Sequence, residues 1–542
     1  MVFVFQSLKA AVGISHARRA RGVRRHARCR LRSRQREGRE CRAASDNRTE
    51  MQLRPVSSLS ADDLAGAERS LVADSAWASL AGAWAGGVVL AAFAIALGAG
   101  PLAIGLLAAI PIAAQAAQLP AIALIERMRQ RKRLALIALA VSRLVMLAMV
   151  ALPFVAETQR AIVLLVAAQV VIAVLGSVAA CAMNSWLHQL IAPDRLAPFF
   201  SRRLLWGTLL GGIGALLAGQ WIDRAGNDDR IHAFAWVFAA AALASFVSTY
   251  FVARVPEPRM VEAGPPVSLL AALRRPLSDA NFCNLLKFLA AWAVVSNVAA
   301  PFLTVYLLRQ LGYSLATVTA LGVASQLANA FALYLWGRIS GRFANKSVLA
   351  AALPVYFACT GALVLANQPA HPALGLTLLY ALHIFMGAAT GGIALATGNL
   401  SLKLAPQGQG TSYLAVVGVV SALAGGAAPL VAGAIAEQLA DNELAMVLRW
   451  LSPQRTHEVV VIALEHWEFL FLLSALAGLY VLHRLSLVRE DGETSERAVI
   501  QEFAIEAARL VGNLSSIGGA IGGLFPFTRL SERRRARRHR RE

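Results

Sequence analysis

The sequence predicts an all-α membrane protein with twelve transmembrane helices arranged as two six-helix halves and both termini cytoplasmic. Three observations predict it. The 542 residues are 57% hydrophobic and only 15% charged, where soluble chains carry ~25% charged residues, so too few charges exist to cover a water-facing surface. Twelve apolar runs are each long enough, at ~20 residues, to cross ~30 Å of hydrocarbon. The Lys and Arg of the short connections fall unequally on alternate loops.

In chain order the runs are 74–99, 101–125, 134–155, 161–187, 204–222, 232–253, 283–308, 314–336, 348–366, 373–400, 411–438 and 467–488. They divide the chain into a basic N-terminal arm (1–69), a first six-helix half (70–254), a cytoplasmic central loop (255–282), a second half (283–489) and a tail with amphipathic and Arg-rich segments (490–542). In the central loop Leu269, Leu270, Leu273 and Leu277 recur at helical spacing beside Arg274 and Arg275. That pattern reads either as a helix lying on the membrane surface or as a solvated linker.

The formal charge of +21 resides mostly in the two ends. Residues 1–50 hold 14 Lys or Arg against 4 acids, and residues 529–542 hold 8 Arg against 2 Glu, a net +10 and +6. Basic ends at a cytoplasmic face attract anionic lipid at ~1 kcal/mol per near-surface cation. They lack the interleaved aromatics and binding module of a nucleic-acid site, so no nucleic-acid partner is expected. The opening segment places its apolar stretch before its arginines, the reverse of a secretory signal. It reads as a transit-like arm or as an over-extended start preceding an initiator at Met51.

Orientation follows the positive-inside rule. With a cytoplasmic N-terminus the inside loops hold 16 Lys or Arg, including Arg127, Arg129, Arg131, Lys132, Arg202, Arg203, Arg338, Arg342, Lys346 and Lys403. The outside loops hold 6: Arg160, Arg224, Arg230, Arg309, Arg449 and Arg455.

An internal repeat accompanies the span count, as transporter folds commonly require. Leu97-Gly98 answers Leu311-Gly312, and Lys132 answers Lys346, both 214 residues on. Asn184-Ser185-Trp186-Leu187 with Ile191-Ala192-Pro193 answers Asn399-Leu400-Ser401-Leu402 with Leu404-Ala405-Pro406, the Asn pair being 215 apart.

Over residues 70–489 this organisation resembles the major facilitator superfamily. The basic turn Gly337-Arg338-Ile339-Ser340-Gly341-Arg342-Phe343-Ala344-Asn345-Lys346 is similar to that superfamily's loop signature, with Gly341 in place of its acid and Ala344 in place of its second glycine. The earlier turn, Glu126-Arg127-Met128-Arg129-Gln130-Arg131-Lys132-Arg133, keeps an acid and the bases without a glycine. Glu126, Arg127, Gly337 and Arg342 are therefore the candidates for conformational coupling. The stretches 184–203 and 281–306 resemble an uncharacterised bacterial branch. The resemblance implies a multi-pass inner (plasma) membrane transporter, monomeric, that moves a small solute by alternating access, coupled to an ion or solute gradient. The alternative is a non-transporting relative acting as an assembly factor or receptor.

No catalytic constellation, nucleotide-binding glycine loop or metal-spaced His/Cys cluster stands out in the sequence, so neither an enzyme nor a cofactor is expected. Charged residues inside apolar spans are costly and point to a pathway or its partners. Arg143, mid-span in the third run, reads either as a solute ligand or as one member of a structural pair, with Asp74 the available acid. Lys287 can snorkel to the surface. His383 reads as a hydrogen-bonded core residue or as a proton carrier. Gln115, Gln118, Asn297, Gln326 and Asn329 supply donors and acceptors inside the bundle. With Trp84 and Trp292 on spans 1 and 7, the resemblance implies a mixed aromatic and amide site. The glycines of span 5 and of span 11, with Pro429, allow close helix approach.

Overall fold

The structure, a computed structural model, describes residues 55–56, 59–155, 157–226, 229–260, 276–339, 343–367, 372–406, 410–451, 456–492 and 495–514. The residue 1–50 arm, the pattern at Leu269–Arg275, Arg342 and the Arg-rich end lie outside the described residues.

Among the described residues, 12 helical spans are long and apolar enough to cross a membrane. Span 1 is α1 (Ala61–Ala85) and α2 (Gly87–Ala96); span 2 is α3 (Pro101–Ala113), a 3-10 turn (Ala114–Ala117) and α4 (Gln118–Met128). Spans 3 to 6 are built on α5 (Arg131–Ala148), α6 (Thr158–Leu190), α7 (Pro193–Arg224) and α8 (Arg230–Ala253). Spans 7 to 10 are built on α9 (Ala280–Val305), α10 (Leu315–Ile339), α11 (Asn345–Ala362) and α12 (Pro372–Lys403). Spans 11 and 12 are α13 (Gly410–Gln438) and α14 (Glu468–Ser486), and α15 (Glu496–Leu514) follows.

The apolar runs understate two helices. Span 1 begins at Ala61 rather than 74, because Ser60 and Asp63 form a reciprocal capping box, which closes the helix start with polar groups that hydropathy excludes. Helix α7 begins at Pro193 rather than 204, since proline suits a first helical turn and the arginines that follow it are polar without being helix breakers. An antiparallel hairpin, β1 (Glu443–Leu451) with β2 (Thr456–Glu465), fills the connection between spans 11 and 12. The repeat is visible in the backbone: Gly98 and Gly312 occupy matching turns at φ +78° and +67°, a region where a side chain is strained.

The packing differs between the two faces. Call the side that carries the basic loops the basic side. On the opposite, far side one buried apolar cluster takes residues from all twelve spans, from Phe93 and Ile104 through Phe302 and Leu321 to Ala432 and Phe471. On the basic side the clusters separate: Leu71, Leu139, Trp186, Phe199 and Val252 join spans 1 and 3 to 6, while Phe282, Trp336, Leu349, Leu400, Tyr413 and Val481 join spans 7 to 12. The far-side seam relies on small residues. A Cβ on Gly105 would overlap the Pro429 carbonyl, and one on Gly219 would lie 2.6 Å from Thr319 Oγ1. At the same end Asp223 accepts from the backbone N–H groups of Leu315 and Ala316 at 3.1 and 2.6 Å, and Arg309 donates to the Ile95 carbonyl at 3.3 Å.

Candidate functional site

Between spans 1, 5 and 8 lies a cavity of about 540 Å³, within the 300–1,000 Å³ range of small-molecule sites. Its walls are thin because glycines line them. Gly207 admits span 1 so closely that a Cβ would stand 2.8 Å from Ser79 Oγ. Span 1 itself breaks at the cavity: Gly86 is extended and Gly87 has φ +50°, a conformation that favours glycine. The first turn of α2, Gly87 to Val89, thus lines the cavity, and N–H groups of a first turn have no intrahelical acceptor.

One charged side chain, Arg203 of α7, stands among the lining residues; its neighbours on the wall include Ser75, Ser79, Thr208, Thr319 and Gln326. The guanidinium carbon lies 5.8 Å from the centre of the Phe199 ring, and Nη2 stands 3.6 Å from Asp74 Oδ2, with the Arg203 side chain 20% exposed. Its Nε is buried without a hydrogen-bond partner. Asp74 is held on its other oxygen by Ser248, whose Oγ donates at 2.7 Å. Arg143, on span 3, donates from Nε to Thr249 Oγ1 at 3.4 Å and attracts Asp74 electrostatically. Arg203 of span 5 thus pairs with the buried carboxylate of span 1, and Arg143 of span 3 lies within its electrostatic range.

The residues singled out in the sequence lie in several places. Gln326 lines the cavity. Arg143 reaches it only through the Asp74 cluster. Trp84 Nε1 donates to the Gly214 carbonyl at 2.8 Å and so ties span 1 to span 5. Gln115 and Gln118 bond to each other at the kink of span 2. Trp292 packs edge-on against Tyr356 and Phe357. Asn297 donates to the Ala293 carbonyl of its own helix at 2.8 Å. The backbone carbonyl of Asn329 would lie 3.0 Å from a Cβ on Gly391, which brings spans 8 and 10 together. His383 is buried, with Nδ1 2.8 Å from the Leu379 carbonyl. Lys287 is exposed.

At the basic side Glu126 and Arg127 are exposed at the end of α4. Gly337 and Arg338 occupy the last turn of α10, where Arg338 Nε pairs with Glu506 of α15 at 2.9 Å. Two acids that the sequence did not single out stand beside these turns. Glu257, after span 6, is fully buried against the first turn of α5. Glu490, after span 12, takes the backbone N–H of Lys346 at 2.7 Å, the Asn345 side-chain amide at 2.9 Å and the Lys403 ammonium at 2.8 Å. Burial alone would raise the Glu490 pKa, but these donors outweigh it and hold the carboxyl below its ordinary value.

Among curated proteins no relative matches this chain. Solved structures match over most of its length. The nucleoside transporter NupG aligns at 13% identity with a TM-score of 0.57, covering 78% of this chain and 100% of that one. A D-xylose-proton symporter aligns at 14% identity and 0.55, over 79% and 99%. A bacterial homologue of the human lysosomal transporter Spinster, in an inward-facing and unoccupied conformation, aligns at 16% and 0.54, over 70% and 84%. At such identities the likeness shows the fold alone. The sequence profile described as Major Facilitator Superfamily matches residues 75–429 and 293–537. With that profile spanning most of the chain and twelve helices arranged as in the solved transporters, this chain belongs to the major facilitator superfamily of membrane transporters.

Proposed function

We propose that the protein is a secondary active transporter of a small solute, working by alternating access and driven by an ion or solute gradient. The observation that carries this reading is the unequal packing of the two faces. All twelve spans join in one apolar cluster on the far side, while on the basic side spans 1 and 3 to 6 and spans 7 to 12 bury separate ones. Transporters of this design rock one helical bundle against the other around a site near the membrane midplane, and a closed far seam with a divided basic side supports a state open toward the basic loops. The positive-inside rule makes that side cytoplasmic, in the inner membrane of a bacterium. The protein acts as a monomer there, its two basic ends resting on anionic lipid. The D-xylose-proton symporter among the structural matches supports ion coupling.

Counterflow of labelled solutes in proteoliposomes tests the reading. A transporter exchanges at least one solute against an unlabelled internal pool, at a rate that the purified lipid alone does not reach. Exchange of none across a panel of sugars, nucleosides, amines and carboxylates would overturn transport in favour of an assembly or receptor role.

A further inference from the structure

We propose that the cavity between spans 1, 5 and 8 takes a small organic anion, a monocarboxylate by its charge, held through the Arg203 guanidinium. The proposal rests on the transport reading and names its substrate class. Its first support is the charge of the wall. Among the described lining residues Arg203 alone is charged, and the polar side chains around it, such as Ser79, Thr319 and Gln326, are neutral. A cation would meet repulsion there with no acid on the wall to offset it.

The second support is the state of the guanidinium. Nε is buried and unpartnered, and the approach of Nη2 to Asp74 at 3.6 Å is longer than a charge-assisted hydrogen bond of ~2.8 Å. An oxyanion in the cavity would accept from the Nη end of the planar guanidinium, a group that suits carboxylates, while the buried Nε stays out of its reach. The charge count agrees. Arg203 pairs with Asp74, and Arg143 lies within electrostatic range of the same carboxylate, leaving an excess of one positive charge. A monoanion cancels it, whereas a dianion overshoots.

The third support lies at the deep end of the same cavity. Helix α2 runs ten residues from Gly87 to Ala96, and its first turn lines the cavity, where the N-terminal end of a helix favours negative charge. From Ser75, level with Arg203, to the break at Gly86 is about 16 Å at ~1.5 Å per helical residue. Arg203 and the α2 turn therefore line one cavity at two levels.

Binding by the purified full-length protein in detergent tests this. Melting temperature is titrated with sodium acetate, propionate, benzoate and phenylacetate, with the matching neutral amides, and with methyl phosphate and phosphatidylglycerol. We expect at least one carboxylate to stabilise the protein where its amide does not. Arg203→Lys should weaken that binding at least tenfold. Gln326→Glu, which adds a negative charge to the wall at an exposed position, should do the same even where Arg203 variants fold poorly. Equal binding of amide and carboxylate, wild-type binding in both variants, or no stabilisation by any carboxylate would overturn the proposal. Stabilisation by phosphatidylglycerol alone would also overturn it and mark a lipid-phosphate site. Counterflow separates the two readings: exchange of neutral solutes but of no carboxylate sinks this inference and leaves transport standing. Arg203-dependent carboxylate binding without exchange of any solute keeps the anion site and removes transport.

Discussion

Glu257 Oε1 accepts both the backbone N–H of Arg131, at 2.7 Å, and its Nε, at 3.3 Å, so one carboxylate after span 6 closes the first turn of span 3. Arg131 also reaches the Ser185 and Pro258 carbonyls at 3.1 and 2.8 Å, and both side chains of the pair are essentially inaccessible. Glu490 repeats the arrangement at the start of span 9. Breaking a buried pair by removing one partner costs about 3 to 5 kcal/mol. Glu257→Ala should therefore lower the melting temperature and membrane abundance sharply. Glu257→Gln, which keeps one acceptor, should fall between. Wild-type melting of the alanine variant would show that the latch adds nothing.

The Glu490 cluster makes stability depend on acid. Its folded pKa lies below the ordinary 4.5, so its contribution is complete above that value and is lost as pH falls through the folded pKa. The melting temperature should decline on acidification below about pH 4.5, and Glu490→Gln should start lower at neutral pH and decline less over the same window. Parallel pH curves for the two proteins would exclude Glu490 as the group responsible.

Much of the helical architecture was legible in the sequence, because hydrocarbon demands long apolar runs. The polar first turns at Ala61–Asp63 and Pro193–Arg203 were not, since helix continues there outside the apolar slab. In the sequence Arg203 reads with Arg202 as a loop cation, yet the longer helix carries it inward beside Asp74. The signal that could have found it is the register: Arg203, Gly207, Gly211 and Gly214 follow helical spacing on the face that meets span 1. The Gly86-Gly87 pair within an apolar run was a legible breaker. Glu257 between Pro256 and Pro258 had no partner visible in the sequence, because Arg131 lies 126 residues away.

Gly219 and Gly105 hold the far seam together. At Gly219 an added Cβ would lie 2.9 Å from the Ala316 Cα as well as against Thr319, and overpacking of this kind costs ~1 to 3 kcal/mol. Gly219→Val should destabilise the far-closed state, slow exchange, and raise maleimide labelling of a cysteine placed at Thr317. Unchanged labelling and unchanged exchange would show that the seam does not gate.

Reporter fusions test orientation. Those placed after residues 130, 265, 343 and 495 should all report the cytoplasm, and those near 157, 227, 368 and 450 the opposite side. A consistent reversal at any one loop is incompatible with the twelve-span arrangement.

The Asp74 cluster permits a sharper experiment, because charge and shape can be changed separately. Asp74→Asn preserves the volume and can still accept from Ser248, whose hydroxyl donates to Asp74 at 2.7 Å, yet it leaves Arg203 and Arg143 facing each other without a counterion. If Asp74 neutralises both, the variant should melt lower. Arg143→Ala should also lower abundance, since it removes the bond to Thr249 at 3.4 Å and unbalances the carboxylate. Combining Asp74→Asn with Arg143→Gln removes one charge of each sign and should recover part of the loss. Coupled neighbours typically show interaction energies of ~0.5 to 3 kcal/mol in such a cycle. Arg143→Lys keeps the charge without the planar fork; as a pairing residue it should leave abundance near wild type, and as a solute ligand it should weaken exchange at unchanged abundance. Strict additivity of the double variant, with normal abundance and exchange in Arg143→Ala, would refute both roles and leave Arg143 an independently solvated arginine.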